Sequence, residues 1–127
     1  MTTQPDRIRD LIPFVHVGDL DRSVSFYAKL GFAVTDTHEH NGEPDWVALE
    51  SGIARLMLAR AAAPIDPRQQ AVLFYLYSDD LRALRQRLVS QGQRPGEIRD
   101  GSPGPRQEMA IADPDGYCLM IAQIEGE

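Results

Sequence analysis

The chain repeats itself, and this repeat constrains the fold more than any other feature of the sequence. The segment from Ile12 to Leu20 matches the segment from Leu73 to Leu81, a step of 61 residues. Further along, Leu56–Ala59 matches Leu119–Ala122, a step of 63 residues. Because a difference of two residues is what a small loop insertion produces, the sequence indicates a tandem duplication of one structural unit.

Each copy predicts the same order of elements, which is one strand, one helix and three further strands. An aspartate begins each helix, Asp19 in the first copy and Asp79 or Asp80 in the second, because its carboxylate accepts hydrogen bonds from free backbone N–H groups. Glycines Gly31 and Gly92 end the helices. The predicted strands are Leu11–Val17, Phe32–Thr37, Trp46–Glu50, Ala54–Arg60, Val72–Tyr77, Glu97–Arg99, Glu108–Ala112 and Tyr117–Gln123.

The repeat also predicts how the chain is divided. We expect one domain over residues 1–127, with module one at about 9–60, a linker at 61–69 and module two at about 70–124. The segment Asp113-Pro114-Asp115-Gly116 predicts a tight turn, and its aspartates and Asp19 are assigned to turns and caps. Two loops at matching positions, Glu39–Asp45 and Asp100–Arg106, are interpreted as lids over a binding site.

Composition excludes several classes of protein. The net charge of −6 disfavours nucleic acid as a partner, because that binding depends on basic patches. No apolar run approaches the roughly 18 residues of a membrane span. The polar start of the chain does not have the pattern of a signal peptide, so a cytoplasmic protein is expected. Cys118, the one cysteine, lies in an apolar run and is interpreted as a buried small residue.

Two motifs carry a resemblance to a known family. The segment Val17-Gly18-Asp19-Leu20-Asp21-Arg22-Ser23-Val24-Ser25-Phe26-Tyr27, followed by Leu30-Gly31-Phe32, resembles the opening signature of the glyoxalase/bleomycin-resistance/dioxygenase superfamily. Asp113-Pro114-Asp115-Gly116-Tyr117 resembles its closing signature. The resemblance implies an α+β fold, in which two tandem βαβββ modules form an open curled barrel around a cavity, and it implies a homodimer.

The resemblance also implies where a metal ion would be bound in the enzymes of this superfamily. Those positions correspond here to Ile12, Met57, Leu73 and Met120, all of them apolar. A divalent ion needs nitrogen or oxygen donors, so we expect no metal and no cofactor. The chain is therefore most similar to the metal-free, bleomycin-resistance-like branch, which binds or sequesters a small organic ligand such as a bleomycin-type antibiotic.

Strand alternation selects the side chains that would face the cavity. His16 shares the parity of Ile12 and Phe14, and Tyr75 and Tyr77 share the parity of Leu73. Trp46 fits a pocket, the core or a dimer contact equally well. The expected ligand-binding residues are Phe14, His16, Trp46, Met57, Leu73, Tyr75, Tyr77, Glu108 and Met120. His38-Glu39-His40 precedes a turn signal and is interpreted as solvated loop.

Two alternatives stay open at this point. The first is a lyase, isomerase or dioxygenase of the same fold, with displaced metal ligands such as His16 and Glu108 or with His16 as an acid–base group. The second is a regulatory or structural dimer that binds no ligand. The apolar residues at the usual metal positions favour a binding protein over an enzyme.

Overall fold

The computed structural model describes residue 6, residues 8–101 and residues 106–124. Its elements follow the predicted order of strand, helix and three strands, given twice. The first set is β1 Phe14–Val17, α1 Leu20–Lys29, β2 Ala33–His40, β3 Glu43–Ser51 and β4 Ala54–Arg60. A short 3-10 turn, Pro67–Gln69, precedes the second set, which is β5 Leu73–Ser78, α2 Leu81–Ser90, β6 Arg99–Asp100, β7 Gln107–Ala112 and β8 Cys118–Gln123.

The strands form two four-stranded mixed sheets with the same topology. Sheet one has the order β1-β4-β3-β2 and sheet two the order β5-β8-β7-β6. The first strand of each sheet pairs in parallel with the last, and the other pairs are antiparallel. Within the described ranges no strand of one sheet pairs with a strand of the other, so the barrel is open. The predicted α+β fold of two βαβββ modules is confirmed.

One face of each sheet is buried in a shared hydrophobic core. On sheet one this helix face carries Val15, Leu49 and Leu58, and on sheet two it carries Leu119 and Ile121, all buried. α1 contacts sheet one and α2 contacts β8. The opposite side of each sheet, here called the open face, carries the residues of the other parity and is only partly covered.

The helices begin and end as their sequence signals predict. Asp19 Oδ1 accepts a hydrogen bond from the Arg22 N–H at 3.1 Å. In the second copy the cap is Asp80 rather than Asp79, with Oδ1 at 3.0 Å from the Ala83 N–H. None of the helices in the described part of the chain is long and apolar enough to cross a membrane.

The interpretation of His38-Glu39-His40 as loop is wrong, because these residues complete β2. Asn41 and Gly42 both have positive φ, 53° and 80°, so the hairpin turns in two residues and leaves no loop between β2 and β3. The predicted first lid, Glu39–Asp45, is therefore mostly strand. Most of the second predicted lid, residues 102–105, lies outside the described residues.

The first strand is shorter than predicted, since β1 begins at Phe14 rather than Leu11. Pro13 has no N–H to donate, which limits the ladder at this point, although its carbonyl accepts a 2.9 Å hydrogen bond from the Met57 N–H. Leu11 is 82% exposed. Ile12, one of the family's metal positions, therefore precedes the strand instead of lying on it.

Two buried aspartates join the modules, a role beyond the turn to which they were assigned. Asp113 Oδ2 accepts a 2.7 Å hydrogen bond from the Tyr27 hydroxyl, and Asp115 Oδ1 accepts one of 3.0 Å from the Gly18 N–H. Asp113 is 5% exposed and Asp115 3%. Burial raises the pKa of the Asp113 carboxyl above its ordinary value, and it also raises the pKa of the Tyr27 hydroxyl. Module two is thus hydrogen-bonded to α1 of module one.

Candidate ligand-binding faces

The open face of sheet one presents two rows of side chains that cross its strands. In the first row Phe14, Met57 and Ala48 are register partners on β1, β4 and β3. In the second row His16 and Trp46 lie on either side of Ala59. The Phe14 and His16 rings are 5.4 Å apart, and Phe14 is 52% exposed. These two rows of sheet one are therefore largely apolar, with one imidazole and one indole as their polar groups.

The open face of sheet two has the same two rows with different side chains. Tyr75, Met120 and Ala110 form the row that corresponds to Phe14, Met57 and Ala48. Tyr77 and Glu108 lie on either side of Ala122, where sheet one has His16 and Trp46 around Ala59. Within these two rows, sheet two is therefore more polar than sheet one.

Four side chains of sheet two form one polar and aromatic cluster. The Tyr75 and Tyr77 rings are 5.6 Å apart at an interplanar angle of 39°. The Tyr75 hydroxyl donates a hydrogen bond to Glu108, which is the main cause of the raised pKa of Tyr75. The Arg106 guanidinium lies 5.0 Å from the centre of the Tyr77 ring, within the range of a cation–π contact.

A cleft of about 1100 Å3 opens between the modules. Its lining includes Leu73, Tyr75 and Tyr77 of module two and Leu11 and Pro13 of module one. A volume of this order accommodates a drug-sized molecule. The cleft contains three of the predicted ligand-binding residues.

The other predicted residues do not line that cleft. They lie on the open faces, four of them on sheet one and two on sheet two: Phe14, His16, Trp46, Met57, Glu108 and Met120. The described chain therefore brings the predicted residues together in two groups, one on each sheet, rather than around one enclosed space.

The donor chemistry at the family's metal positions does not suit a divalent ion. Met57 packs in register with Phe14 and Met120 with Tyr75, while Leu73 lies opposite Cys118. Thioether and aliphatic side chains offer no hard donor. In the part of the chain that can be described, no group of three His, Cys, Asp or Glu side chains converges.

A histidine–carboxylate pair lies at the far edge of sheet one. His38 Nδ1 is 2.7 Å from Asp45 Oδ1, and this hydrogen bond lowers the pKa of Asp45. His38 is the register partner of Trp46, so the pair borders the open face. Both side chains are well exposed, and exposed pairs of this kind contribute little to stability.

Two features of the open faces were not predicted. Arg106 lies in a predicted lid, and nothing in its neighbourhood in the sequence indicates a contact with Tyr77. Tyr117 was predicted as part of the closing signature and of the last strand, yet its hydroxyl donates a 3.0 Å hydrogen bond to the His16 carbonyl. Because His16 and Tyr117 are 101 residues apart in the chain, only the fold shows that module two supports β1.

The fold and the open faces define a duplicated βαβββ protein without the usual metal donors, and comparison with known proteins gives its family. The model of the Glyoxalase/Bleomycin resistance protein/Dioxygenase superfamily matches residues 8–121. The chain belongs to this superfamily, as its two sequence signatures indicate. No curated protein matches the chain.

Several solved structures share the fold. A bleomycin-binding protein complexed with bleomycin is 23% identical, with a TM-score of 0.75, and the match covers 93% of this chain and 100% of that one. A bleomycin resistance determinant encoded on the transposon Tn5 is also 23% identical, with a TM-score of 0.76 and coverage of 94% and 100%. An antibiotic-binding protein from Streptomyces sp. CB03234 is 19% identical, with a TM-score of 0.73 and coverage of 96% and 100%.

Proposed function

We propose that this protein binds a small organic ligand on its open faces without a metal ion and without transforming it. A bleomycin-type antibiotic is the ligand class we infer. The observation that carries the proposal is that the family's metal positions carry apolar side chains, two of which, Met57 and Met120, lie in rows with the exposed Phe14 and Tyr75.

The exposure of these side chains supports a binding role. Phe14 is 52% exposed and Tyr77 56%, while the other face of β1 is buried and that of β5 is partly buried. Contiguous exposed apolar surface on a soluble protein marks an interaction site more often than scattered apolar residues do. Burial of such surface stabilises a complex by about 25 cal/mol per Å2, and aromatic stacking adds to it.

The named neighbours support the ligand class. Two of the proteins described above are named for bleomycin binding or bleomycin resistance, and a third is named as an antibiotic-binding protein. At these identities the likeness establishes the fold alone, so the ligand class is our proposal for this chain. The matched regions cover almost the whole of each neighbour.

We also propose that the working form is a homodimer in which each chain acts as one domain. The two groups of ligand-binding residues lie on separate open faces within one chain, and a second copy supplies a matching face to enclose a ligand. The buried Asp113–Tyr27 hydrogen bond keeps the two modules of one chain together. Symmetric dimers are the commonest assembly of soluble proteins.

The test is thermal unfolding of the purified protein with metal-free bleomycin, in the presence and absence of EDTA. A ligand that binds only the folded state raises Tm in proportion to the logarithm of its concentration above Kd. We expect a concentration-dependent rise in Tm that EDTA leaves unchanged. No rise at any concentration contradicts bleomycin binding, and a rise that EDTA abolishes contradicts the metal-free mode.

A matched pair of variants locates the effect. Trp46→Ala removes an aromatic side chain from the open face of sheet one, whereas Val89→Ala removes a half-exposed aliphatic side chain from α2. We expect Trp46→Ala to weaken binding by about tenfold, the order of one lost stacking contact. Val89→Ala serves as the surface control, because Val89 lies on a helix and is not among the residues that line the cleft.

A further inference from the structure

Arg106 contacts the open face of sheet two as a ligand cation would. Its guanidinium carbon lies 5.0 Å from the centre of the Tyr77 ring. A cation over an aromatic face within about 6 Å of the ring centre is attracted by the ring quadrupole. Tyr77 nevertheless remains 56% exposed, so the ring is not enclosed by this contact.

A carboxylate and a second ring adjoin the Tyr77 ring. The Tyr75 ring centre lies 5.6 Å from that of Tyr77, and the Tyr75 hydroxyl donates a hydrogen bond to Glu108. Glu108 shares a row with Tyr77, separated from it by Ala122. Two π faces and one negative charge therefore lie side by side, which is the chemistry that recognises organic cations.

The backbone is shaped to admit this carboxylate. A Cβ atom added to Gly101 would lie 2.9 Å from Glu108 Oε2 and 2.9 Å from the Arg106 carbonyl oxygen. Any other residue at position 101 would push either the Glu108 carboxylate or the backbone of Arg106 aside. Gly101 thus leaves room for the Glu108 carboxylate and for the Arg106 carbonyl, which accepts a hydrogen bond from the Gly101 N–H.

We propose that Tyr75, Tyr77 and Glu108 form a subsite for the positive charge of a flat aromatic ligand, and that the Arg106 side chain occupies this subsite when no ligand is bound. The inference rests on the proposed function, since it names the charge and the position of part of the ligand. A cationic ligand displaces the Arg106 guanidinium from the Tyr77 ring and replaces one cation–π contact with another.

The equivalent positions of sheet one lack this combination of two tyrosine rings and a carboxylate. The positions equivalent to Tyr75, Tyr77 and Glu108 are Phe14, His16 and Trp46, which carry no negative charge. Arg99 is the register partner of Glu108 on β6, so the subsite also has a positive neighbour. We therefore expect a modest preference for cations rather than an absolute requirement.

The test uses two probes of the same shape, N-methylacridinium, which carries a fixed positive charge, and acridine, which is neutral at mildly alkaline pH. Both are titrated by fluorescence against the full-length protein. We expect the charged probe to bind about two- to fivefold more tightly, the range that one cation–π contact at an exposed site provides.

Three variants and one control assign the effect to the proposed groups. Glu108→Gln keeps the shape of the side chain and removes the charge. It should therefore weaken the binding of N-methylacridinium and leave the binding of acridine unchanged. Glu43→Gln removes the same charge from an exposed side chain of sheet one and is the control. Arg106→Gln should tighten N-methylacridinium by about two- to fivefold, whereas Arg106→Lys should leave it near the native value.

The outcomes separate this inference from the proposed function. If both probes bind equally and Glu108→Gln changes neither, the open faces bind ligands but the cation subsite does not exist. If neither probe binds and bleomycin produces no rise in Tm, both proposals fail. If Arg106→Gln weakens the charged probe, Arg106 contacts the ligand instead of competing with it, which overturns the displacement.

Discussion

On sheet one the side chain across Ala59 from His16 is Trp46, and at the equivalent place on sheet two Glu108 lies across Ala122 from Tyr77. The helix faces of the same strands differ much less, since Leu58 of β4 corresponds to Ile121 of β8 and both are fully buried. Close packing constrains the helix face, whereas solvent leaves the open face free to change. The duplicated module thus keeps one core and presents two chemically different surfaces.

The largest expected effect on stability comes from the buried helix faces, where the two sheets are most alike. Leu58→Ala and Ile121→Ala each remove a fully buried side chain from equivalent positions. Each should lower the free energy of unfolding by about 2–5 kcal/mol, because the core cannot collapse completely around the cavity. Urea denaturation measures the free energy of unfolding of both variants.

The open-face neighbours are the controls for that experiment. Met57→Ala and Met120→Ala truncate half-buried side chains one residue away on the same strands. They should lower the free energy of unfolding distinctly less than the helix-face substitutions do. Equal losses at Met57 and Leu58 would mean that the open face is core, and the account of two different faces would be wrong.

A smaller effect on stability is expected at the hydrogen bond between the two modules. Tyr27→Phe deletes the hydroxyl that donates to Asp113 Oδ2 and leaves a buried carboxylate oxygen without that donor. The free energy of unfolding should fall by about 1–3 kcal/mol at neutral pH.

The sign of the pH dependence follows from the raised pKa of Asp113. A carboxyl whose folded pKa lies above its unfolded value stabilises the protein at low pH, and this contribution is lost as the pH rises through the folded pKa. The Tyr27 hydroxyl lowers the pKa of Asp113 because it favours the ionised form, so its removal should matter less once Asp113 is protonated. The loss in Tyr27→Phe should shrink as the pH is lowered from about 7 to about 4; a loss that grows on acidification would contradict this coupling.

Much of the fold could be predicted because burial alternates along most strands and the duplication repeats the pattern. β2 was the exception. Its residues are exposed on both faces, so polar and apolar residues do not alternate along it. His38-Glu39-His40 therefore had the composition of a loop, and the two-residue turn at Asn41-Gly42 extended the strand.

The candidate site could be predicted only in part for a related reason. Strand parity places His16 with Phe14 and Tyr75 with Tyr77, because it depends on neighbours in the sequence. The partners that complete each face come from distant parts of the chain: Glu108 is 33 residues from Tyr75, and Tyr117 is 101 residues from His16. Sequence alone has no signal for those contacts.

The most direct test of the central claim is the metal content of the untagged protein, measured by elemental mass spectrometry. The protein is purified without chelator, incubated with nickel, zinc, manganese and iron in turn, and desalted. Because Ile12, Met57, Leu73 and Met120 offer no hard donors, we predict far less than one ion per chain with every metal. A stoichiometry of about one divalent ion per chain would contradict metal-free binding and would redirect the search to histidine and carboxylate ligands.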